Sequence, residues 1–155
     1  MMCQGCGAAM KLAPSRDHFL CEYCGAHRFP ERSEDGIEIL GILTQHPCPT
    51  CGRLLVQGRL EGAEVEHCTH CEGFLIGQRD FGSVLTVRRA WTRRDPPPPR
   101  AITPEQMARS IQCPRCGQTM YVEPYLGPGC QVLDTCLTCE QVWLDRDELS
   151  TLARS

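Results

Sequence analysis

Long apolar runs are missing from this 155-residue chain. No stretch of 18 or more apolar residues occurs, which excludes a membrane-spanning helix. Aromatic residues are few, at 6%, and the apolar share is 41% with cysteine counted. With the 13 cysteines set aside, about a third of the chain is apolar, against the 45–50% usual for globular proteins with cysteine and glycine counted. One large core is therefore hard to close, and small units held by metal, disulfide or assembly are expected instead. The amino-terminal MMCQGCGAAMKLAPSRD lacks a positive segment followed by an apolar one, so no secretory signal is expected and a cytoplasmic location is. There thiols stay reduced, and dense cysteine reads as metal binding or redox chemistry rather than a disulfide framework. A formal charge of -3 excludes a globally basic nucleic-acid binder and leaves only a local patch to consider.

What the chain has in abundance is cysteine, and its spacing is regular. Twelve of the 13 cysteines form six C-x-x-C pairs: Cys3/Cys6, Cys21/Cys24, Cys48/Cys51, Cys68/Cys71, Cys113/Cys116 and Cys136/Cys139. Taken two pairs at a time, the intervening loops hold 14, 16 and 19 residues, close to the C-x₂-C-x₁₅₋₂₀-C-x₂-C zinc pattern. Each quartet predicts a tetrahedral Cys₄ site, so three Zn²⁺ ions are expected. Gly follows the first pair of every unit, in CQGCG (3–7), CPTCG (48–52) and CPRCG (113–117). A positive φ there lets backbone N–H groups turn toward the sulfurs. Pairing in chain order is the simplest assignment, with cross-braced quartets as the alternative. Iron in a rubredoxin-like site has the same ligands and spacing, and a thiol redox protein is the remaining alternative. Three loaded Cys₄ sites, each formally -2, would carry the chain from -3 to about -9.

A repeat extends beyond the cysteines. EGFLIGQRDFGSVL follows Cys71 and EQVWLDRDELSTLA follows Cys139, and at an offset of 68 residues Leu75 meets Trp143 and Ile76 meets Leu144. Apolar Leu149, Leu152 and Ala153 have the i, i+3, i+4 spacing of one helix face. Asp145 as N-cap with Glu148 at N3 predicts a capping box, and Leu144 with Leu149 a hydrophobic staple. Gly77 with Asp80 is a weaker version in the second unit. The acidic cluster Asp145, Asp147, Glu148 is thereby assigned to capping rather than catalysis. In the first unit, the acidic ERSEDG (31–36) leads into IEILGIL (37–43), expected to pack on the first ribbon as a strand. Hairpin strands are expected to enter the second pairs through 21–29, 62–68 and 130–136. Pro96 to Pro99 read as a polyproline spacer, and Thr103-Pro104-Glu105-Gln106 as the capped start of a helix reaching about Ile111.

Units two and three resemble the bacterial transcription-factor-type (TFIIB-like) zinc-finger family. The third supplies CPRCG (113–117) and DTCLTCEQVWLDRDEL (134–149), a close match. The second supplies CPTCG (48–52) and HCTHCEGFLIGQRDF (67–81), lacking the Trp and the capping Asp. The first shares only knuckles and hairpin. The resemblance covers about two thirds of the chain and implies a zinc ribbon at each site, with Cys113, Cys116, Cys136 and Cys139 carried over most securely. It implies little about activity, because fold does not fix function.

The expected architecture is thus small, metal-bound and β-rich. Three tandem zinc ribbons, β-hairpins with C-x-x-C knuckles, span 1–43, 44–90 and 111–155, with short helices after ribbons two and three. An Arg/Pro-rich linker with a short helix spans 91–110. Arg88, Arg89, Trp91, Arg93 and Arg94 form a candidate nucleic-acid patch, set against a solvated helix end and linker with Trp91 folded on a ribbon. Cys130 is an unpaired thiol with no local group to lower its pKa. His67 and His70 are expected at the surface, and Trp143 and Leu144 under the ribbon. No catalytic residue is expected. The function these features imply is a non-enzymatic adaptor for protein partners, with a nucleic-acid-binding or transcription-associated factor as alternative.

Overall fold

The computed structural model describes residues 1–15, 17–92, 101–125 and 131–155. The amino-terminal unit forms a small sheet of β1 (Lys11–Leu12), β2 (Phe19–Leu20) and β3 (His27–Arg28), antiparallel in that order. Its strands are two residues long because each is clipped between knuckles or turns. Its apolar cluster is correspondingly small, with Met10 and Phe19 buried beside Cys3 and Cys21.

The rest builds one eight-stranded antiparallel sheet from β4 (Glu31–Arg32), β5 (Glu38–Pro47), β6 (Leu54–Leu60), β7 (Ala63–His67), β8 (Phe74–Gly77), β9 (Tyr121–Tyr125), β10 (Gln131–Cys136) and β11 (Gln141–Leu144). Their order is β4-β5-β6-β7-β8-β11-β10-β9. The sheet joins the second and third units edge to edge. At the seam β8 pairs with β11 in the register Phe74↔Leu144, Leu75↔Trp143, Ile76↔Val142 and Gly77↔Gln141. Leu75 and Trp143 are equivalent under the 68-residue offset, so the repeat folds back on itself about a pseudo-two-fold axis through that pair.

Strand alternation sends the seam residues to two faces. On one face Phe74, Ile76, Val142 and Leu144 meet Phe81, Val84 and Leu85 of α1 (Gln78–Trp91) and Leu149, Leu152 and Ala153 of α3 (Glu148–Arg154). The two helices pack on each other. On the other face Leu75 and Trp143 join Leu55, Met120 and the buried cysteines Cys48, Cys68, Cys113 and Cys136. Among the described residues no helix is long and apolar enough to cross a membrane.

Several local expectations are corrected. Residues 38–43 are strand, but they pair with β4 and β6 in the large sheet rather than with the first unit's strands. The acidic turn before them explains why. Asp35 is buried, accepting a hydrogen bond from the Ser150 hydroxyl at 2.9 Å, and its carbonyl accepts from Arg88. Glu34 pairs with Arg146. The turn therefore docks on α1 and α3 and draws the strand after it into the large sheet. Gly36 sits there at φ +79, with Arg88 Nη2 only 2.7 Å from where a Cβ would stand.

The cap of α3 also differs. The helix starts at Glu148 after Asp147 in the left-handed region, and Asp145 lies a turn earlier. Half of the expected box survives, since the Glu148 carboxylate accepts from the Asp145 N–H at 2.8 Å. The Asp145 carboxylate is occupied instead by Trp143 Nε1 at 2.9 Å and by Arg109. α2 (Pro104–Met107) has the capping box predicted for Thr103 and Gln106 but stops well short of Ile111. The Pro96–Pro99 spacer, Arg93, Arg94 and Cys130 lie outside the described residues.

Candidate metal centres

The sequence puts a tight turn at each C-x-x-C because the residue after the second Cys adopts positive φ. Gly7, Gly25, Gly52 and Gly117 do so at 74°, 72°, 75° and 70°. Each donates its N–H to the carbonyl of the first Cys of its pair, as Gly52 does to Cys48 at 2.9 Å. At the remaining two knuckles glutamates fill this position, Glu72 at φ 63° and Glu140 at φ 50°. The sequence pattern of Gly after the first pair did not reveal them. The knuckles aim backbone donors at sulfur: Cys71 N–H reaches Cys68 Sγ and Cys139 N–H reaches Cys136 Sγ, both at 3.4 Å.

The twelve paired cysteines gather into three groups: Cys3, Cys6, Cys21 and Cys24; Cys48, Cys51, Cys68 and Cys71; Cys113, Cys116, Cys136 and Cys139. Within each group all sulfurs lie within 4.8 Å of one another. The pairing follows chain order rather than a cross-brace. Cys3 lies 3.6 Å from Cys24, Cys6 3.5 Å from Cys21, Cys51 3.6 Å from Cys68 and Cys116 3.6 Å from Cys136, sulfur to sulfur. A tetrahedron with bonds of about 2.3 Å has edges of about 3.8 Å, so the donor sets fit a four-coordinate metal ion.

Electrostatics give a second test of fit. Backbone N–H groups of Cys6 and Gly5 hold the Cys3 thiol down to about 6. At Cys6 the Ala8 N–H works in the same direction, but burial and the thiols of Cys21, Cys24 and Cys3 outweigh it and push the group up to about 12. The third group splits likewise. Cys116 is lowered to about 7 by the Gln118 N–H, while the neighbouring Cys116 sulfur, burial and Cys136 raise Cys139 to about 12. Four thiols this close cannot all ionise alone. A divalent cation among them removes the conflict, and metal uptake there releases protons.

The structure also places the other candidate residues. Trp143 is fully buried at the seam and Leu144 in the helix-facing core. Trp91 is 87% exposed, not folded against any strand. Arg88 pairs with Glu61 at 2.8 Å as well as with the Asp35 carbonyl, and Arg89 Nε donates to the Leu152 carbonyl at 3.2 Å. Both are thus committed to helix packing. His70 is exposed as expected, but His67 is fully buried beside Cys68, where burial lowers its pKa and keeps it neutral.

Two buried acids have no role in the sequence reading, although Asp134 opens the family-like DTCLTC segment. Glu66 takes Arg115 of the third unit's CPRC knuckle at 2.9 Å and His46 at 2.7 Å, along a cleft of about 570 Å³. Asp134, its equivalent at the 68-residue offset, lies 3.3 Å from Arg109 and is raised by burial to about 6. The repeated acid two positions before a ligand Cys was the available signal. Comparison with protein-family models, with curated proteins and with solved structures finds no match to this chain.

Proposed function

We propose that the chain is a zinc protein with three structural Cys₄ centres, each a zinc ribbon, serving as a non-enzymatic adaptor for protein partners in the cytoplasm. The observation that carries this reading is the complete four-sulfur donor set at every centre. Four thiolates fill a tetrahedron and leave no open position for water or substrate, the mark of a structural rather than catalytic zinc. The resemblance of 113–149 to the TFIIB-like zinc-finger family points the same way. For partner binding the sheet offers edges. β4 pairs only with Glu38 and Ile39 of β5, so beyond them the outer side of β5 is open among the described residues, with Ile42 and Leu43 exposed. Such an edge suits strand addition.

Metal analysis of the purified protein is expected to give three zinc ions per chain and no visible colour. A red, iron-containing protein overturns the zinc reading in favour of a rubredoxin-like one. Affinity capture with and without nuclease is expected to retain partners after digestion and to lose them on Leu43→Glu. One observation favours a second reading, nucleic-acid binding: Trp91 stands exposed at the end of α1, ready for base stacking. Failure to bind single-stranded nucleic acid at low salt, or binding unchanged by Trp91→Ala, sinks that reading.

A further inference from the structure

We infer that the three centres load as one plus two: the second and third take up metal as a single cooperative pair, while the first exchanges its metal independently. The inference rests on the proposed zinc centres and concerns how this chain's own residues couple or isolate them.

The coupling is built into the seam. Three cysteines of each group (Cys48, Cys68 and Cys71; Cys113, Cys136 and Cys139) line one apolar cluster with Leu55, Leu75, Met120 and Trp143. Trp143 is fully buried at the pseudo-two-fold axis, in one cluster with cysteines of both centres. Polar bonds cross the seam as well. Arg115, inside the third group's first knuckle, grips Glu66 through Nε at 3.0 Å and Nη2 at 2.9 Å, two residues before Cys68 of the second group. Gln78 N–H, at the start of α1, donates to the Glu140 carbonyl at 2.9 Å, next to Cys139. Ordering one centre therefore orders the strand and knuckle that the other needs. Because metal binding and folding are one process in such sites, the first ion of the pair should raise the affinity for the second. Coupling between linked sites typically amounts to about 5- to 150-fold.

The first centre shares none of this. Among the described residues its strands β1, β2 and β3 pair only with one another, and its buried cluster contains no residue of the other two groups. Both Cys6 and Cys24 are exposed, which opens the ion to a small chelator or a competing thiol.

The test is stepwise removal of zinc from the full chain by a competing chelator, with metals per chain counted by native mass spectrometry. The three-metal form is expected to pass to a two-metal form and then directly to the metal-free form. An abundant one-metal species overturns the inference. Alkylation of the two-metal species, followed by peptide mapping, is expected to label Cys3, Cys6, Cys21 and Cys24. Label on Cys68 or Cys136 at that stage also overturns it. Zinc titration of the metal-free chain in a Trp91→Phe background, followed by Trp143 fluorescence, is expected to give one steep transition. Two separate Trp143 steps count against cooperativity. Cys136→Ser is expected to weaken zinc binding at the second centre at least tenfold, and Cys21→Ser to leave it unchanged. A chain that takes up no metal overturns the zinc reading itself, and the inference with it.

Discussion

The first unit and the fused second and third units hold similar clusters of four sulfurs on different supports. In the first, among the described residues, two-residue strands and a buried cluster of Met10, Phe19 and two cysteines, flanked by Ala8, Leu12 and Ala26, surround the site. In the others the sulfurs back onto a sheet seam, an indole and two helices. The same C-x-x-C chemistry thus works as nearly the whole core in one place and as one wall of a core in another. The difference arises beyond the ligands, in the residues after each second knuckle. FLIG and VWL extend Cys71 and Cys139 into strands that can meet each other, whereas after Cys24 the chain turns through Phe29 and Pro30 into an acidic turn.

The substitution that breaks this comparison most sharply is Trp143→Ala. It empties the space beside two four-sulfur clusters, and removing a fully buried Trp costs about 3–5 kcal/mol. Denaturant unfolding of the zinc-loaded chain is expected to show that loss in the large sheet, and a loss below about 1 kcal/mol would mean the two sites do not depend on the shared face.

A pH effect of the next size is expected at Glu148. Burial, with Asp145 as a nearby like charge, raises its pKa to about 7 from 4.5. Folding therefore favours the protonated acid. Its stabilising share is fully present below about pH 4.5 and is lost as pH rises toward 7, on the order of 2–3 kcal/mol. Asp134, raised to about 6, adds in the same direction. Glu148→Gln should flatten this part of the profile, so its stability relative to the parent grows from about pH 5.5 to pH 8. Comparing the two zinc-loaded proteins cancels the thiolate contribution common to both, and a pH-independent difference would count against a buried, titrating Glu148.

A pair of glycines sharpens the contrast at smaller scale. A Cβ at Gly73 would lie 2.6 Å from Trp143 Cζ2 and 3.0 Å from the Leu144 carbonyl, while at Gly5 the nearest atom is Cys3 Sγ at 3.8 Å. Gly73→Ala is expected to cost about 1–3 kcal/mol by overpacking, and Gly5→Ala to change melting little. Equal effects in calorimetry would mean the seam is not the tighter of the two sites.

How much of this was legible in the sequence depends on which interactions are local. Knuckles and the Thr103 capping box are set within a few residues, and spacing alone reveals them; spacing also favours quartets in chain order, with the cross-brace excluded by the sulfur positions. The 68-residue repeat even marked Leu75 and Trp143 as equivalent, but equivalence does not say that two strands will pair with each other. Edge pairing across 68 residues, the docking of Asp35 on α1 and α3, and the Glu66–Arg115 bond depend on chain segments far apart. Asp145 shows the same limit: its sequence position suits a cap, yet Arg109 and the Trp143 indole, one of them 36 residues away, claim its carboxylate first.

The smallest expected effect belongs to the first unit. Phe19 is 5% exposed and supplies much of the apolar surface around Cys3 and Cys21. Phe19→Ala should therefore loosen that unit as severely as Trp143→Ala loosens the sheet, yet remain nearly invisible to global unfolding. Among the described residues none of the first unit's strands pairs with the eight-stranded sheet, so the loss has no ladder along which to spread. Amide exchange in residues 1–28 is expected to accelerate while the unfolding midpoint of the sheet stays within about 0.5 kcal/mol, as sites without shared partners generally behave. A matched fall in both would tie the first unit into the sheet's cooperative unit. It would also place the boundary between the supports somewhere other than the Phe29–Pro30 step.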